Sequence, residues 1–311
     1  AFLTSTTAFE LDSLPRSLLI VGAGYIGCEL SQIFARAGVE VTLLLRSRLL
    51  PEAEPEISEA LSGYLAEEGI TVRRVRNYLE VSEADRGIAL SVQTDSGEEH
   101  LEAERLLLSS GRRANTHGLG LLEAGVALKA NGGIQVDERM RTTRPGIYAA
   151  GDVTGRDQFV YMAAYGAKIA AANALNGDSQ VYDNAAMPAV VFTDPQVASV
   201  GLTETAARAK GFDIVTSILP LDSLPRALAA RDTRGLIKLV ANRATKKLLG
   251  AHILAPEGAD SIQTAALAIR QGMTYSELAE LIFPYLTTVE GLKLAAQTFE
   301  TDVAKLPCCA G

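Results

Sequence analysis

Two adjacent thiols, Cys308 and Cys309, stand behind Pro307 at the C-terminal end of the chain. Chain ends are poor places for packed core, so a vicinal pair there suits contact chemistry better than burial. Thiolates are soft ligands and favour soft ions: Zn²⁺, Cu⁺ and, by the same softness, Hg²⁺. Two of them on a terminal arm can take up such an ion and pass it on by ligand exchange. The alternative is a casual, partly oxidised tail, and the rest of the chain must decide between the two. Cys28, isolated in sequence, reads as buried packing.

A second group of residues has the spacing to hold a dinucleotide. Gly22-x-Gly24-x-x-Gly27 falls between a short apolar strand at 18–21 and an amphipathic helical run at 26–37; a second apolar strand follows at 39–45. In strand–turn–helix context this pattern is a nucleotide fingerprint. Gly22 allows the tight turn, Gly24 lets the backbone approach a pyrophosphate, and Gly27 lets helix and strand pack closely. Amides at the helix start then face the phosphates. The alternative is a glycine-rich structural turn. An NAD site usually places an acid near the end of the second strand to grip the ribose 2′-hydroxyl. Here Arg46-Ser47-Arg48 stands there, with no acid before Glu52. Two guanidiniums match the charge and geometry of a 2′-phosphate, which favours NADP(H); otherwise they are ordinary surface.

These residues need a frame. With 311 residues, 48% of them hydrophobic, and 27 glycines, the chain has material for two or three α/β domains. A formal charge of -8 argues against nucleic-acid binding or a polybasic membrane patch. No apolar run is long enough to cross a bilayer, so no membrane insertion is expected. Three cysteines, one isolated and two adjacent, make no disulfide framework and point to the reducing cytoplasm. The chain begins at Ala1 without an initiator Met, and its start reads as a cut.

Further along, 52–68 reads as a helix, and 70–75, 88–94 and 102–108 as strands, with hairpin turns at 85–87 and 95–100. From 111 to about 180, short strands alternate with glycine turns and end at Gly151-Asp152. An Asp just past such a strand accepts hydrogen bonds from the hydroxyls of a sugar or ribityl chain, or simply closes an Asx turn. The helix expected at 159–175 presents its positive dipole end close behind Asp152. Beyond Met187, strands at 190–192, 197–200, 214–219, 236–241 and 248–253 make a mainly antiparallel sheet, covered by helices at 203–210, 258–271 and 274–281. His252 reads as a core or interface residue and His100 as solvated surface.

The stretches VGAGYIGCELSQIFARAGVEVTLL, SSGRRANT, IYAAGDVTG, FVYMAA, MPAVVFTDPQVASVGLTE, LPRALAARDTRGLIKLV, FPYLTTVEGLKLAAQTF and KLPCCAG together span nearly the whole chain. They resemble the flavin-dependent pyridine nucleotide–disulfide oxidoreductases, and within them the mercuric reductases. The last two stretches are the most specific, because the general family has no vicinal cysteine tail. The resemblance implies a Rossmann-like NADPH-binding domain at 14–110, the lead (1–13) and returning (111–182) parts of a Rossmann-like FAD domain, an α+β dimerisation domain at 187–302, and a flexible Cys-Cys tail at 303–311.

It also implies the site residues. The cofactor-binding set is Gly22, Gly24, Gly27, Glu29, Arg46, Arg48, Gly111, Arg112, Gly151, Asp152, Gln158, Phe159 and Val160. Tyr25 falls beside the nicotinamide pocket as a gate near the metal path; its alternative is helix–sheet packing. At 285 the disulfide reductases carry an acid–base His oriented by a Glu. Here Glu290 is kept and Tyr285 replaces the His. Protonating a thiolate leaving group needs a base poised near neutrality, which a phenol is not, so a lipoamide- or glutathione-type reductase is disfavoured. The implied catalytic set is Cys308, Cys309, Tyr285, Tyr25 and Glu290, and the metal path Cys308, Cys309, Tyr285 and Tyr25. The implied reaction is NADPH + Hg²⁺ → NADP⁺ + H⁺ + Hg⁰ with FAD as intermediary, thiol-bound Hg²⁺ as substrate, and an active site shared across a homodimer. The family's inner pair, two cysteines four residues apart, is not in this sequence, so the chain reads as a partial one. The 311 residues alone are alternatively a non-catalytic NADP-binding and dimerisation module.

Overall fold

The computed structural model describes residues 2–85 and 87–303, in two compact units. One comprises the chain up to Ser110 together with everything from Ala185 onward, the other Gly111–Asn184.

The first unit starts from a run whose side chains are almost all apolar. β1 (Ser17–Val21) is buried on both faces, as the central strand of a parallel sheet must be. It leads through a glycine turn into α1 (Tyr25–Arg36) and back into β2 (Glu40–Leu45). α2 (Pro55–Glu67) opens on Pro55, where the missing N–H costs nothing, and returns to β3 (Thr71–Arg74). β4 (Asn77–Ala84), β5 (Gly87–Thr94) and β6 (Gly97–Ala103) form an antiparallel three-stranded sheet, and β7 (Arg105–Leu108) rejoins the parallel sheet in the order β3-β2-β1-β7.

β4 has no counterpart among the sequence expectations, because its residues are exposed on both sides and show no alternation. The strand expected at 102–108 is two strands. At Glu104 the chain changes sheets: its amide donates to Ser17 Oγ at 3.0 Å, and its carboxylate accepts from the Arg16 amide at 3.0 Å. The turn expected at 95–100 is tighter than read, since Glu98, Glu99 and His100 already belong to β6. The turn at 85–87 includes Arg86, which lies outside the described residues.

The C-terminal half of this unit is built on a five-stranded sheet, β10-β11-β12-β9-β8, antiparallel throughout. Its elements beyond the second unit's helix α3 (Val160–Asn176) are β8 (Pro188–Val191), β9 (Gln196–Gly201), α4 (Glu204–Ala209), β10 (Ile214–Pro220), α5 (Pro225–Ala230), β11 (Leu236–Asn242), β12 (Leu248–Ala255), α6 (Gly258–Arg270), α7 (Tyr275–Glu280) and α8 (Glu290–Gln297). Thr203 caps α4 through the Ala206 amide, as expected of a Thr N-cap. The sequence reading lacks α5 and α8. α8 is buried on nearly every side, and its polar positions Glu290, Lys293 and Gln297 recur at helical spacing within only eight residues, a short stretch for a period to stand out.

The two halves of this unit share a core. Val191, Val197 and Leu254 pack in one cluster with Leu30 and Phe34 of α1. Polar groups reinforce it: Arg36 grips Glu68 and Asp194, and Gln32 donates to Glu68 at 2.8 Å and to the Asp194 carbonyl at 2.9 Å. Among the described residues no helix is long and apolar enough to cross a membrane.

In the second unit α3 is the one long element. The short strands expected before it reduce to isolated bridges, Leu128↔Ile134, Val136↔Thr142 and Arg141↔Tyr148. The buried amide of Asn173 ties the chain to α3, donating to the carbonyls of Arg139 and Gln180 at 2.9 and 2.8 Å.

Candidate functional site

The glycine turn has the geometry its spacing calls for. Gly22 adopts φ +104°, and a Cβ there would lie 2.7 Å from the Ser109 carbonyl oxygen. A Cβ on Gly27 would lie 1.9 Å from the Gly22 carbonyl oxygen, so helix and turn approach as only glycine permits. Gly24 differs: its added Cβ would meet nothing within 4 Å. That open space at the start of α1 fits a diphosphate approaching the backbone amides. Ser109 braces the turn from below, its hydroxyl donating to the carbonyls of Val21 and Gly22 at 3.0 and 2.8 Å.

The loop leaving β2 carries the two arginines, both exposed. Arg46 lies with its guanidinium 5.7 Å from the Tyr78 ring centre, within cation–π range. Arg48 donates to the carbonyls of Pro51 and Ala53 at 2.8 Å each, and so folds the loop onto itself. Beside it opens a cavity of about 550 Å³ lined by Arg48, Ser47, Ser62 and a third arginine, Arg74. The sequence reading did not include Arg74. The parallel register pairs Leu45 with Arg74, so the last residue of β3 reaches the same edge as Arg46. Neighbouring parallel strands end together, and that was the signal available.

Tyr25 is the first residue of α1. Burial, and then the nearby charge of Glu52, push its phenol above the usual tyrosine range, so it is a neutral hydroxyl at pH 7. Glu29 lies one turn further along. One of its oxygens accepts the Phe192 amide at 2.8 Å, which gives this residue a part in joining the two halves of the unit. Cys28 is fully buried, with its thiol directed at the Ala23 carbonyl. Burial and Glu29 push that thiol up to about 12, so it is neither a nucleophile nor a metal ligand at neutral pH.

On the interface side, Tyr285 is half exposed and Ile282 fully so. Leu286 adopts φ +61°, a strained conformation for a leucine. Its amide donates to Glu290 Oε2 at 3.2 Å. Glu290 itself is buried, and burial holds its carboxyl above the usual glutamate range. This carboxylate therefore fixes the turn's backbone.

Within the second unit, Gly151 has φ +78° and Asp152 is exposed, its carboxylate without a hydrogen-bond or ion-pair partner among the described residues. Gln158, Phe159 and Val160 open α3, with Val160 exposed and Phe159 stacked on Tyr161 at 5.2 Å. A free carboxylate just ahead of a helix start fits hydroxyl binding next to an electron-rich group. Gly111 and Arg112 are exposed at the unit's beginning. Cys308 and Cys309 lie outside the described residues.

Comparison with known proteins gives these features a context. Residues 1–171 match the family model described as pyridine nucleotide-disulphide oxidoreductase, and residues 187–296 the family's dimerisation domain. The chain is 49% identical over 310 residues to the mercuric reductase of Streptomyces lividans, covering 100% of this chain and 65% of that protein. It is 47% identical to the mercuric reductase of Bacillus cereus, covering 100% and 49%, and 45% identical to that of Staphylococcus aureus, covering 100% and 57%. The chain thus spans half to two thirds of the length of these curated relatives. Among solved structures it resembles the flavoprotein disulfide reductase RclA of Escherichia coli in its Cu(II) complex, with a TM-score of 0.87 and 31% identity over 96% of this chain and 67% of that one. LpdA of Mycobacterium tuberculosis gives a TM-score of 0.86 at 29% identity, over 96% and 65%.

Proposed function

The chain belongs to the pyridine nucleotide-disulphide oxidoreductases, and on that premise we propose that it is a portion of an NADPH- and FAD-dependent mercuric reductase acting in the cytoplasm. The family implies flavin and nicotinamide cofactors. When bound, these supply the redox chemistry: a hydride from NADPH and, through FAD, an electron pair for the substrate Hg²⁺.

The chain's own residues do the holding and steering. The amides around Gly24 bind the pyrophosphate, and Arg46, Arg48 and Arg74 meet the 2′-phosphate. Tyr25 covers the nicotinamide pocket, and Asp152 accepts from ribityl hydroxyls ahead of α3. Cys308 and Cys309 take Hg²⁺ from small thiols and pass it across a homodimer interface, with Tyr285 and Tyr25 presenting phenol oxygens along the path. The observation that carries the reading is the turn at 285. Where a disulfide reductase needs a base, this chain has a phenol, and Glu290 is engaged by the Leu286 amide. That arrangement suits moving a cation, which needs no proton at this position.

The test uses the complete protein to which these residues belong, with Hg²⁺ presented as its glutathione complex. Cys308→Ala with Cys309→Ala is expected to impair NADPH-driven mercury loss while flavin reduction by NADPH stays nearly intact. Unchanged turnover would refute the relay, and no mercury reduction by the unaltered protein would refute the assignment. The 311 residues alone are proposed to bind NADPH and dimerise.

A further inference from the structure

Below the arginine loop lies a buried cluster of charge that the proposed reaction does not use. Lys238, on the interior strand β11, is 1% exposed and donates to three carboxylates: Glu54 Oε2 at 3.0 Å, Glu56 Oε1 at 2.8 Å and Glu204 Oε2 at 3.0 Å. Glu54 is as deeply buried as the lysine. Its other oxygen accepts the Glu204 amide at 2.6 Å and lies 3.7 Å from His252 Nε2. A buried ion pair of this kind adds little net stability over packed hydrophobic side chains. What it does supply is a fixed geometry, since each partner is costly to leave unpaired.

The geometry it fixes is that of the nucleotide loop. Glu54 occupies the N-cap position of α2 but makes no capping hydrogen bond, the usual work of a polar side chain there. Its carboxylate points instead into the antiparallel sheet. The carbonyl of the residue just before it, Ala53, is one of the two that Arg48 grips at 2.8 Å. The same loop is pinned at Leu50, whose φ is +43° and whose amide donates to the Ala23 carbonyl at 2.9 Å, and at Leu49, whose carbonyl accepts Ser58 Oγ at 2.6 Å. Two hydrogen bonds joined by the covalent Glu54–Ala53 link therefore connect Lys238 to the Arg48 guanidinium.

We infer that Lys238 and Glu54 are positioning residues for 2′-phosphate recognition, anchoring in the dimerisation domain the loop that presents Arg48 to NADPH. The inference rests on the reading of Arg46 and Arg48 as the 2′-phosphate site. It predicts that discrimination between NADPH and NADH depends on a lysine in another part of the fold that meets no nucleotide. It also predicts the reciprocal effect, that a bound 2′-phosphate tightens the tether.

The experiment measures dissociation constants for NADPH and NADH by nicotinamide fluorescence with the unaltered chain, Lys238→Met, Lys238→Met with Glu54→Gln, Arg48→Ala, and Lys238→Met with Arg48→Ala. The paired variant removes both buried charges and guards against misfolding of the single one. Loss of one well-placed charged hydrogen bond corresponds to about tenfold or more in affinity. NADPH binding by the Lys238 variants is therefore expected to weaken about tenfold, with NADH within about twofold and little further loss when Arg48→Ala is added. Equal weakening toward both nucleotides, or losses that multiply with Arg48→Ala, would overturn the inference while leaving the 2′-phosphate reading in place. An Arg48→Ala chain that keeps its NADPH preference would overturn that reading and the inference with it. Amide exchange of the unaltered chain gives a readout free of variants: 2′,5′-ADP should slow exchange at Glu204 and 5′-AMP should not, and equal protection by both refutes the tether.

Discussion

The glycine turn allows a sharp test, because two of its glycines are required for different physical reasons. At Gly27 an added methyl must retreat from 1.9 Å to the ordinary 3.4 Å from the Gly22 carbonyl oxygen, moving α1 by about 1.5 Å against backbone that cannot yield. Overpacking of this kind costs ~1–3 kcal/mol or more, so Gly27→Ala should melt well below the unaltered chain. At Gly24 the methyl meets nothing, and the backbone (φ −79°, ψ −166°) is one that alanine adopts. Alanine is a poorer N-cap than glycine by about 0.5–1 kcal/mol, and it recovers ~0.4–1 kcal/mol through a less flexible unfolded chain. The two nearly cancel, so Gly24→Ala should melt within a degree or two of the unaltered chain. The same methyl occupies the space through which a diphosphate reaches the amides. Losing one charged hydrogen bond there costs roughly 1.5–3 kcal/mol, which is about ten- to a hundredfold in the NADPH dissociation constant. Thermal melting and NADPH fluorescence titration together separate the outcomes. Tight binding by a stable Gly24→Ala chain would refute the approach of a phosphate at this turn.

Acid should loosen the buried cluster around Lys238. Burial lowers the pKa of His252, Lys238 lowers it further, and the Leu202 carbonyl, Glu54 and Glu56 oppose them. The unfolded chain therefore takes up this proton first as pH falls through about 6.5, and stability drops by at most ~1.4 kcal/mol per pH unit. Urea midpoints should fall from pH 7.5 to 5.5, and His252→Asn should flatten that slope. Glu204, held low by Lys238 and Arg208, adds a loss of the same sign at lower pH. For Cys28, fully buried with its thiol pushed up to about 12, Cys28→Ser should leave the native thiol count with a disulfide reagent unchanged and lower the denatured count by one. Glu290→Gln preserves an acceptor for the Leu286 amide; mercury turnover should stay within about threefold of normal and its pH profile should not shift. A large loss would mean that the carboxylate charge itself is used.

Much of the candidate nucleotide site could be read locally, because a glycine turn and an arginine pair after a strand are short-range patterns. The antiparallel sheet was legible for the same reason, as apolar runs at 190–192 through 248–253 correspond to β8 to β12. What escaped depends on partners far away in sequence. Arg74 lines the cavity beside Arg48 only because β3 ends beside β2. Lys238 sits within an apolar run and reads as an interruption until Glu54, 184 residues away, is brought to it. α8 carries its period, Glu290, Lys293 and Gln297 on one face, in only eight residues, too short a window for the pattern to stand out. Between 111 and 150, glycines and turns outnumber extended pairs, and only bridges form where strands were expected.

On the proposed reading, the turn at 285 keeps a family's scaffold while its chemistry changes. A carboxylate behind an imidazole sets the base's tautomer and strength, so its charge enters the reaction. Behind Tyr285 there is no imidazole to tune, and Glu290 sits buried with a raised pKa, accepting the amide of a leucine in the left-handed region. Such a conformation costs ~1–3 kcal/mol, and a hydrogen bond to a charged group is worth about 1.5–3 kcal/mol, enough to hold the turn. The phenol is thereby kept at a fixed place on an exposed apolar surface formed by Leu281, Ile282 and Leu286. On the proposed reading that is what a soft cation needs as it passes between thiol pairs: a hard oxygen that binds it weakly and lets the next thiolate take over.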